Sequence, residues 1–323
     1  MLYITEKKAR EAVNMSAILS AFRSAYLRCI EGESRPGPRM VTDVDDSGKK
    51  GQWLTAFDAG TGFFGTKFSA VFPTNPSEGR PATISSISLY SLQTGELLAV
   101  IEANALTALK TAASAAIATD LFARKDASCL VVIGSGIQAY DQVLAIRKVR
   151  EIQRVLVYDR DSNRAASFVE SLEASADWDA AIAVASSANA AVAQADILCT
   201  CTTSRTPVFD GNVLKAGTHI NAIGSYAPDM QEIDATTVLR AESVVTEHVD
   251  SVWAAAGDIL HPFKSGLIDK SKVTGSIGDV LKGTVRSRTA DTSITLYESV
   301  GLAVLDLAIA IEVYRETSAK PSL

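Results

Sequence analysis

The segment Val131-Val132-Ile133-Gly134-Ser135-Gly136-Ile137-Gln138-Ala139 constrains this chain more than any other. A short apolar run, Cys129–Ile133, leads into a G-x-G-x-x-A turn, and a helical stretch follows directly. Gly134 permits the tight turn, Gly136 lets the backbone approach a pyrophosphate, and Ala139 keeps helix and strand close. The first N–H groups of the helix then face whatever sits on the turn. A lone glycine turn is weak evidence, but here a second element accompanies it. Val155-Leu156-Val157-Tyr158 ends in Asp159, 23 residues after Gly136. A carboxylate at that strand end binds ribose hydroxyls and repels a 2′-phosphate. The two elements predict a dinucleotide site that prefers NAD, formed by Gly134, Ser135, Gly136, Ile137, Gln138 and Asp159, with Arg160 softening the preference. Thr202 and Thr203 follow an apolar run ending at Cys201, where the carboxyl ends of a parallel sheet meet ligand.

Strands and helices alternate from Cys129 to about 223, which predicts a Rossmann-type, doubly wound parallel sheet. The preceding sequence has a different grammar. Ile18, Phe22, Tyr26 and Ile30 recur every fourth residue, marking a helix that opens near Asn14. Short β-like runs near 52–57, 65–72, 83–90 and 97–101 are separated by turn residues, so this region is α+β. A helix capped by Asn104 is expected to about 123, and a long apolar final helix from 294 to about 314. The final helix is expected to return to the first domain. That domain then comprises 1–118 completed by 294–323, and the Rossmann domain 119–293.

At 323 residues the chain exceeds one ordinary core, and 47% apolar residues suit a globular protein. A net charge of −6 without a basic run argues against nucleic acid as partner. The N-terminus lacks a signal-type apolar region and no run is long enough to span a bilayer, so a cytoplasmic protein with no membrane partner is expected. Cys199 and Cys201 form a C-x-C pair inside an apolar run with no histidine nearby, which reads as buried thiols and no metal site.

Three further segments carry a resemblance. Ala105-Leu106-Thr107-Ala108-Leu109-Lys110-Thr111-Ala112-Ala113, Ile220-Asn221-Ala222-Ile223-Gly224-Ser225-Tyr226-Ala227-Pro228-Asp229-Met230-Gln231-Glu232 and Ile294-Thr295-Leu296-Tyr297-Glu298-Ser299-Val300-Gly301 resemble motifs of the ornithine cyclodeaminase/μ-crystallin family. Matches at Gly65-Thr66-Lys67 and the Phe72–Pro76 turn extend the resemblance over about 1–315. It implies a homodimer whose first domain supplies both the dimer sheet and the substrate pocket. It also implies hydride exchange at a carbon bearing nitrogen and a carboxylate. Thr111 and Ser299, within these segments, are counted with the cofactor residues.

The resemblance places Arg39, Lys67 and Lys110 at the substrate. Arg39 and Lys110 are assigned to its carboxylate and Lys67 to proton transfer, because an amine desolvated among cations has a lowered pKa. The family normally has arginine at 110, and lysine cannot form the bidentate fork. Cyclodeaminase and alanine dehydrogenase members carry a catalytic aspartate where Tyr226 stands, and Asp229 lies across Pro228. Tyr226 is a poor base, and Leu54-Thr55-Ala56-Phe57 offers no carboxylate to a distal ammonium. The expected function is therefore an NAD-dependent reductase or dehydrogenase of a small α-imino or α-amino acid. An ornithine cyclodeaminase-type lyase and a μ-crystallin-like binding protein are the alternatives. His219 and Glu232 are read as structural.

Overall fold

Alternation of burial along 50–102 gives antiparallel strands in a computed structural model, which describes residues 1–175 and 178–319. Met1–Lys110 and the chain from Leu302 onward form one unit, and Thr111–Gly301 form the other. The first contains β1 (Leu2–Ile4), α1 (Glu6–Ala12), α2 (Met15–Glu31), β2 (Ser34–Pro36), β3 (Met40–Asp43), β4 (Lys50–Asp58), β5 (Phe63–Val71), β6 (Thr83–Ser91), β7 (Leu97–Glu102) and the start of α3 (Asn104–Phe122). Its strands run in the order β1-β7-β6-β5-β4-β2, with β3 also on β4; only β1 is parallel to its neighbour.

The second unit continues with β8 (Cys129–Ile133), α4 (Ile137–Arg147), β9 (Arg154–Tyr158), α5 (Ser162–Glu173), β10 (Ala181–Val184), α6 (Ala188–Val192), β11 (Ile197–Thr200), β12 (His219–Ala222), α7 (Ala235–Arg240) and β13 (Ser243–Thr246). It closes with α8 (Val249–Ala255), α9 (Gly257–Lys264), β14 (Gly275–Ser276), α10 (Ile277–Lys282) and β15 (Thr295–Glu298). All its strands are parallel, in the order β10-β9-β8-β11-β12-β15-β13-β14, as expected of a doubly wound sheet. Every residue of β8, β11, β12 and β15 is buried, because both faces of such a sheet are covered.

Helix α11 (Ala303–Ala319) rejoins the first unit and packs on α2, β4 and β5. Here the final helix expected from 294 needs correction. Residues 295–298 are a strand between β12 and β13, and Gly301 at φ +82° separates them from the helix. A short buried strand and a buried helix both read as continuous apolar sequence, so pattern alone did not part them. The units accordingly divide at Gly301/Leu302 and, inside α3, at Lys110/Thr111 rather than near 294 and 118.

The capping of α2 by Asn14 follows the expectation: its side chain accepts from Ala17 N. That of α3 does not. The Asn104 carboxamide accepts from Ser85 N at 2.7 Å, and Glu6 Oε1 accepts from Ala105 N at 3.0 Å instead. His219 is the first residue of β12. Its Nδ1 and Nε2 lie 2.9 Å from Thr295 Oγ1 and 3.2 Å from Asn221 Oδ1, and its ring stacks on Phe122. Burial and the Arg288 charge push its pKa down to about 3, so it is a neutral, satisfied core side chain. Among the described residues, no helix is long and apolar enough to cross a membrane.

Candidate active site

Lys67 and Lys110 come together in the first unit around an acid the sequence reading did not single out. Lys67 lies on the buried face of β5, where Gly65 and Lys67 alternate with half-buried Phe64, Thr66 and Phe68. A Cβ on Gly65 would meet Leu307 Cδ1 at 2.9 Å, so the glycine lets α11 lie close to the sheet. Asp306 precedes Leu307. Its Oδ1 accepts from Lys67 Nζ at 3.1 Å and its Oδ2 from Lys110 Nζ at 2.9 Å. Lys67 also donates to Thr107 Oγ1 at 2.9 Å, one turn before Lys110 on α3. All three charged side chains are buried, at 6%, 6% and 4% exposure.

Burial pulls the Lys67 ammonium below the ordinary lysine range; Asp306 opposes this, while Lys110 and Arg39 act with it. Burial by itself would raise the Asp306 carboxyl, but the Lys110 and Lys67 charges outweigh it and hold the group low. Arg39 is itself exposed, at the end of the segment before β3. The acid had a legible signal. Asp306 is the sole charged residue between Leu302 and Ile311, and an aspartate inside such an apolar run is rarely buried unless paired.

The glycine turn of the second unit fits a dinucleotide. Gly134 sits at φ +91° after β8, and a Cβ there would come within 2.7 Å of Cys201 O. Only glycine is comfortable in that position. Gly136 caps α4 without a side-chain hydrogen bond, and a Cβ on it would meet no protein atom within 4 Å. The helix N–H groups and the open space beside them suit a pyrophosphate. Ile137 is 86% exposed on the same turn, while the Gln138 amide oxygen is buried without a partner among the described residues.

Asp159 follows β9, but it is not a free strand-end carboxylate. Its Oδ2 accepts from Ser135 N at 2.9 Å and Ser135 Oγ at 2.8 Å, and its Oδ1 from Asp161 N. Burial works against these hydrogen bonds, which nevertheless hold its pKa low. The acid is thus ionised and fastens the glycine turn to the end of β9. Arg160 beside it is exposed.

Glu232 ties the neighbouring loops together. It accepts from Thr200 Oγ1 and Gly224 N through Oε2 and from Thr202 N through Oε1, so it anchors Thr202 beyond β11. Thr203 is exposed, Thr111 is half-buried, and buried Ser299 donates to Glu247 at 2.6 Å. Tyr226 is 47% exposed, and Asp229 forms a surface ion pair with Arg205. Cys199 and Cys201 are free thiols with sulfurs 3.5 Å apart.

The second unit's parallel sheet with its glycine cradle, and the first unit's two buried lysines paired with Asp306, define an NAD-dependent oxidoreductase acting at carbon–nitrogen bonds. The sequence matches the ornithine cyclodeaminase/mu-crystallin family over residues 2–321, and the chain belongs to that family. It is 32% identical to a Delta(1)-pyrroline-2-carboxylate reductase of Bacillus cereus over 318 residues, covering 98% of this chain and 96% of the relative. The structure is similar to Thermococcus litoralis Delta(1)-pyrroline-2-carboxylate reductase in complex with NADH and L-proline. The TM-score is 0.94 at 30% identity, covering 99% of this chain and 98% of that one. It is also similar to an archaeal alanine dehydrogenase dimer with bound NAD. There the TM-score is 0.93 at 31% identity, covering 100% of this chain and 97% of the other.

Proposed function

We propose that this protein reduces a small cyclic α-imino acid with NADH, with Δ1-pyrroline-2-carboxylate as the first substrate to test. The observation that carries the reading is Lys67, a buried ammonium with lowered proton affinity beside a second buried cation, Lys110. NADH, when bound, supplies the hydride that adds to the imine carbon. Lys67 gives its proton to the imine nitrogen, which leaves a secondary amine and a neutral lysine that is reprotonated from water. Lysine has three N–H donors. Asp306 and Thr107 take two from Lys67, which leaves one to aim at the substrate. Lys110 and Arg39 hold the substrate carboxylate, Lys110 as a point charge rather than a fork. Gly134, Ser135, Gly136 and the start of α4 hold the pyrophosphate, and Asp159 the adenosine ribose.

The resemblance to reductases outweighs a cyclodeaminase reading, since Tyr226 stands where the lyase needs an acid. The test is NADH oxidation with Δ1-pyrroline-2-carboxylate and isolation of proline. Stoichiometric proline and ammonia from ornithine with NAD would refute the assignment. The same proposal includes a homodimer. Its support is the alanine dehydrogenase dimer and a sheet face opposite Lys67 that carries Trp53, Phe64, Phe68 and Tyr90, paired as Trp53–Phe68 and Phe64–Tyr90. Sedimentation at micromolar concentration tests it. A cytoplasmic location suits the four free thiols, which a reducing compartment maintains.

A further inference from the structure

We infer that Asp306 is a positioning residue of the reduction: its two carboxylate oxygens hold the Lys67 and Lys110 ammonium groups side by side and supply the counter-charge they share in a buried place. The inference rests on the reductase reading for its function, and on geometry alone for its structural part. Three elements meet there, β5 with Lys67, α3 with Lys110 and α11 with Asp306. Each oxygen takes one ammonium, at 3.1 and 2.9 Å, so one acid serves two cations. The charged groups facing Lys67 are Asp306, Lys110 and Arg39, and those facing Asp306 are the two lysines.

Stability alone does not account for the arrangement. Every residue from Ala303 to Ile311 is buried, and all but Asp306 are apolar. Well-packed hydrophobic residues replace such buried triads with no loss, and often with a gain. Asp306 does what a hydrophobe cannot. Without it, two buried ammonium groups would face each other with Arg39 nearby and no counter-charge, and Lys67 would hold its proton less tightly. With it, Lys67 stays an acid, and the fixed carboxylate sets the directions of the remaining N–H donors. Thr107 completes the orientation from the same helix as Lys110.

The test compares Asp306→Asn with Lys110→Met, which act on Lys67 in opposite directions. Binding of pyrrole-2-carboxylate, a planar carboxylate that cannot be reduced, is followed by calorimetry from pH 6 to 11 beside kcat/KM for Δ1-pyrroline-2-carboxylate. Asp306→Asn is expected to move the alkaline limb of both profiles down by about one pH unit or more, the usual effect of losing a close opposite charge. Lys110→Met weakens binding but moves the limb up, since a like charge has gone. Asp306→Glu keeps the charge and restores the native limb in part. NADH affinity, read by fluorescence, stays within about twofold in all three, because its glycine turn lies in the other unit. A limb that stays in place in Asp306→Asn, or shifts the same way in Lys110→Met, overturns the assignment. A native protein that binds pyrrole-2-carboxylate with these shifts but reduces no imino acid removes the reductase reading and supports the Asp306 geometry. If Asp306→Asn does not fold, Lys110→Met and Asp306→Glu still decide the direction.

Discussion

Each unit buries a cluster of ionisable side chains, and the two clusters keep opposite charge states. In the first, Lys67, Lys110 and Asp306 bring both signs together through two ion pairs, and Thr107 adds a hydrogen bond to Lys67. In the second, Glu232, Asp258 and Glu298 lie near one another at 0% exposure, and all three are acids. Asp258 Oδ1 accepts from Glu232 N and Ile233 N, but Oδ2 and both oxygens of Glu298 have no partner among the described residues. Burial and the Glu232 charge push the Asp258 pKa up to about 8, and burial with Asp258 pushes Glu298 well above the carboxylate range. These two acids hold their protons at neutral pH. Burial penalises the ionised form in both places. Only the first cluster supplies a counter-charge, and only there does the proposed reduction use an ammonium.

The sharpest way to break this contrast is to remove one member from each side. Asp306→Ala leaves two buried ammonium groups unpaired and is expected to cost ~3–5 kcal/mol, the usual loss on breaking a buried ion pair. Glu298→Gln replaces a neutral acid by a neutral amide of similar shape and should cost well under that at pH 7. Midpoints of urea unfolding decide; equal losses would mean that Glu298 is ionised after all. Next in size is Lys67→Met, which removes the proton and the charge and keeps the bulk. We expect kcat to fall by on the order of 10²-fold or more with NADH affinity unchanged. Intact turnover on the best imino acid would discard Lys67 as the acid.

Titration separates the clusters more gently. Asp258 is protonated in the folded state up to about pH 8 but ionises near its ordinary 3.8 when unfolded, and Glu298 is shifted the same way. The unfolded chain therefore loses protons first. Stability from these acids is full below about pH 4 and declines as pH rises towards 8, by up to about 1.4 kcal/mol per pH unit for each group. Asp306 has the opposite sign: its contribution is present above the ordinary carboxylate range and is lost on acidification. Thermal melts from pH 5 to 9 should show the decline, and Glu298→Gln should flatten it. A native slope unchanged in that variant would contradict the neutral-acid reading. The smallest expected effect is on cofactor choice. Asp159→Ser should narrow the NADH preference by roughly tenfold or less, because its carboxylate also secures Ser135. A native preference for NADPH in kcat/KM would show that Asp159 does not face the ribose.

Local spacing carried the candidate dinucleotide site in legible form. Gly134 and Gly136 stand between a strand and a helix, Ala139 lies in that helix's first turn, and Asp159 follows the next strand, so the motif is written in short local segments. The lysines were legible through family resemblance, each from its own short segment. Asp306 left a trace as a lone acid in an apolar run, but its partnership with the lysines did not, because it lies 239 residues from Lys67 and 196 from Lys110, and no local period links such positions. The strand at 295–298 was missed for a related reason: an apolar run buried on all sides has no period to read.

The sequence by itself determined the strand and helix order from β8 to β12, the glycine turn and the residue types available for catalysis, since these depend on neighbours a few positions apart. Tertiary structure alone decided which charges survive burial. Lys67 keeps its proton and Asp306 loses one because α3, β5 and α11 bring them within hydrogen-bond distance, whereas Glu298, with only acids around it, keeps its proton. A side chain's charge in a low-dielectric interior is set by what stands a few ångströms away, and the chain does not record that distance until it folds.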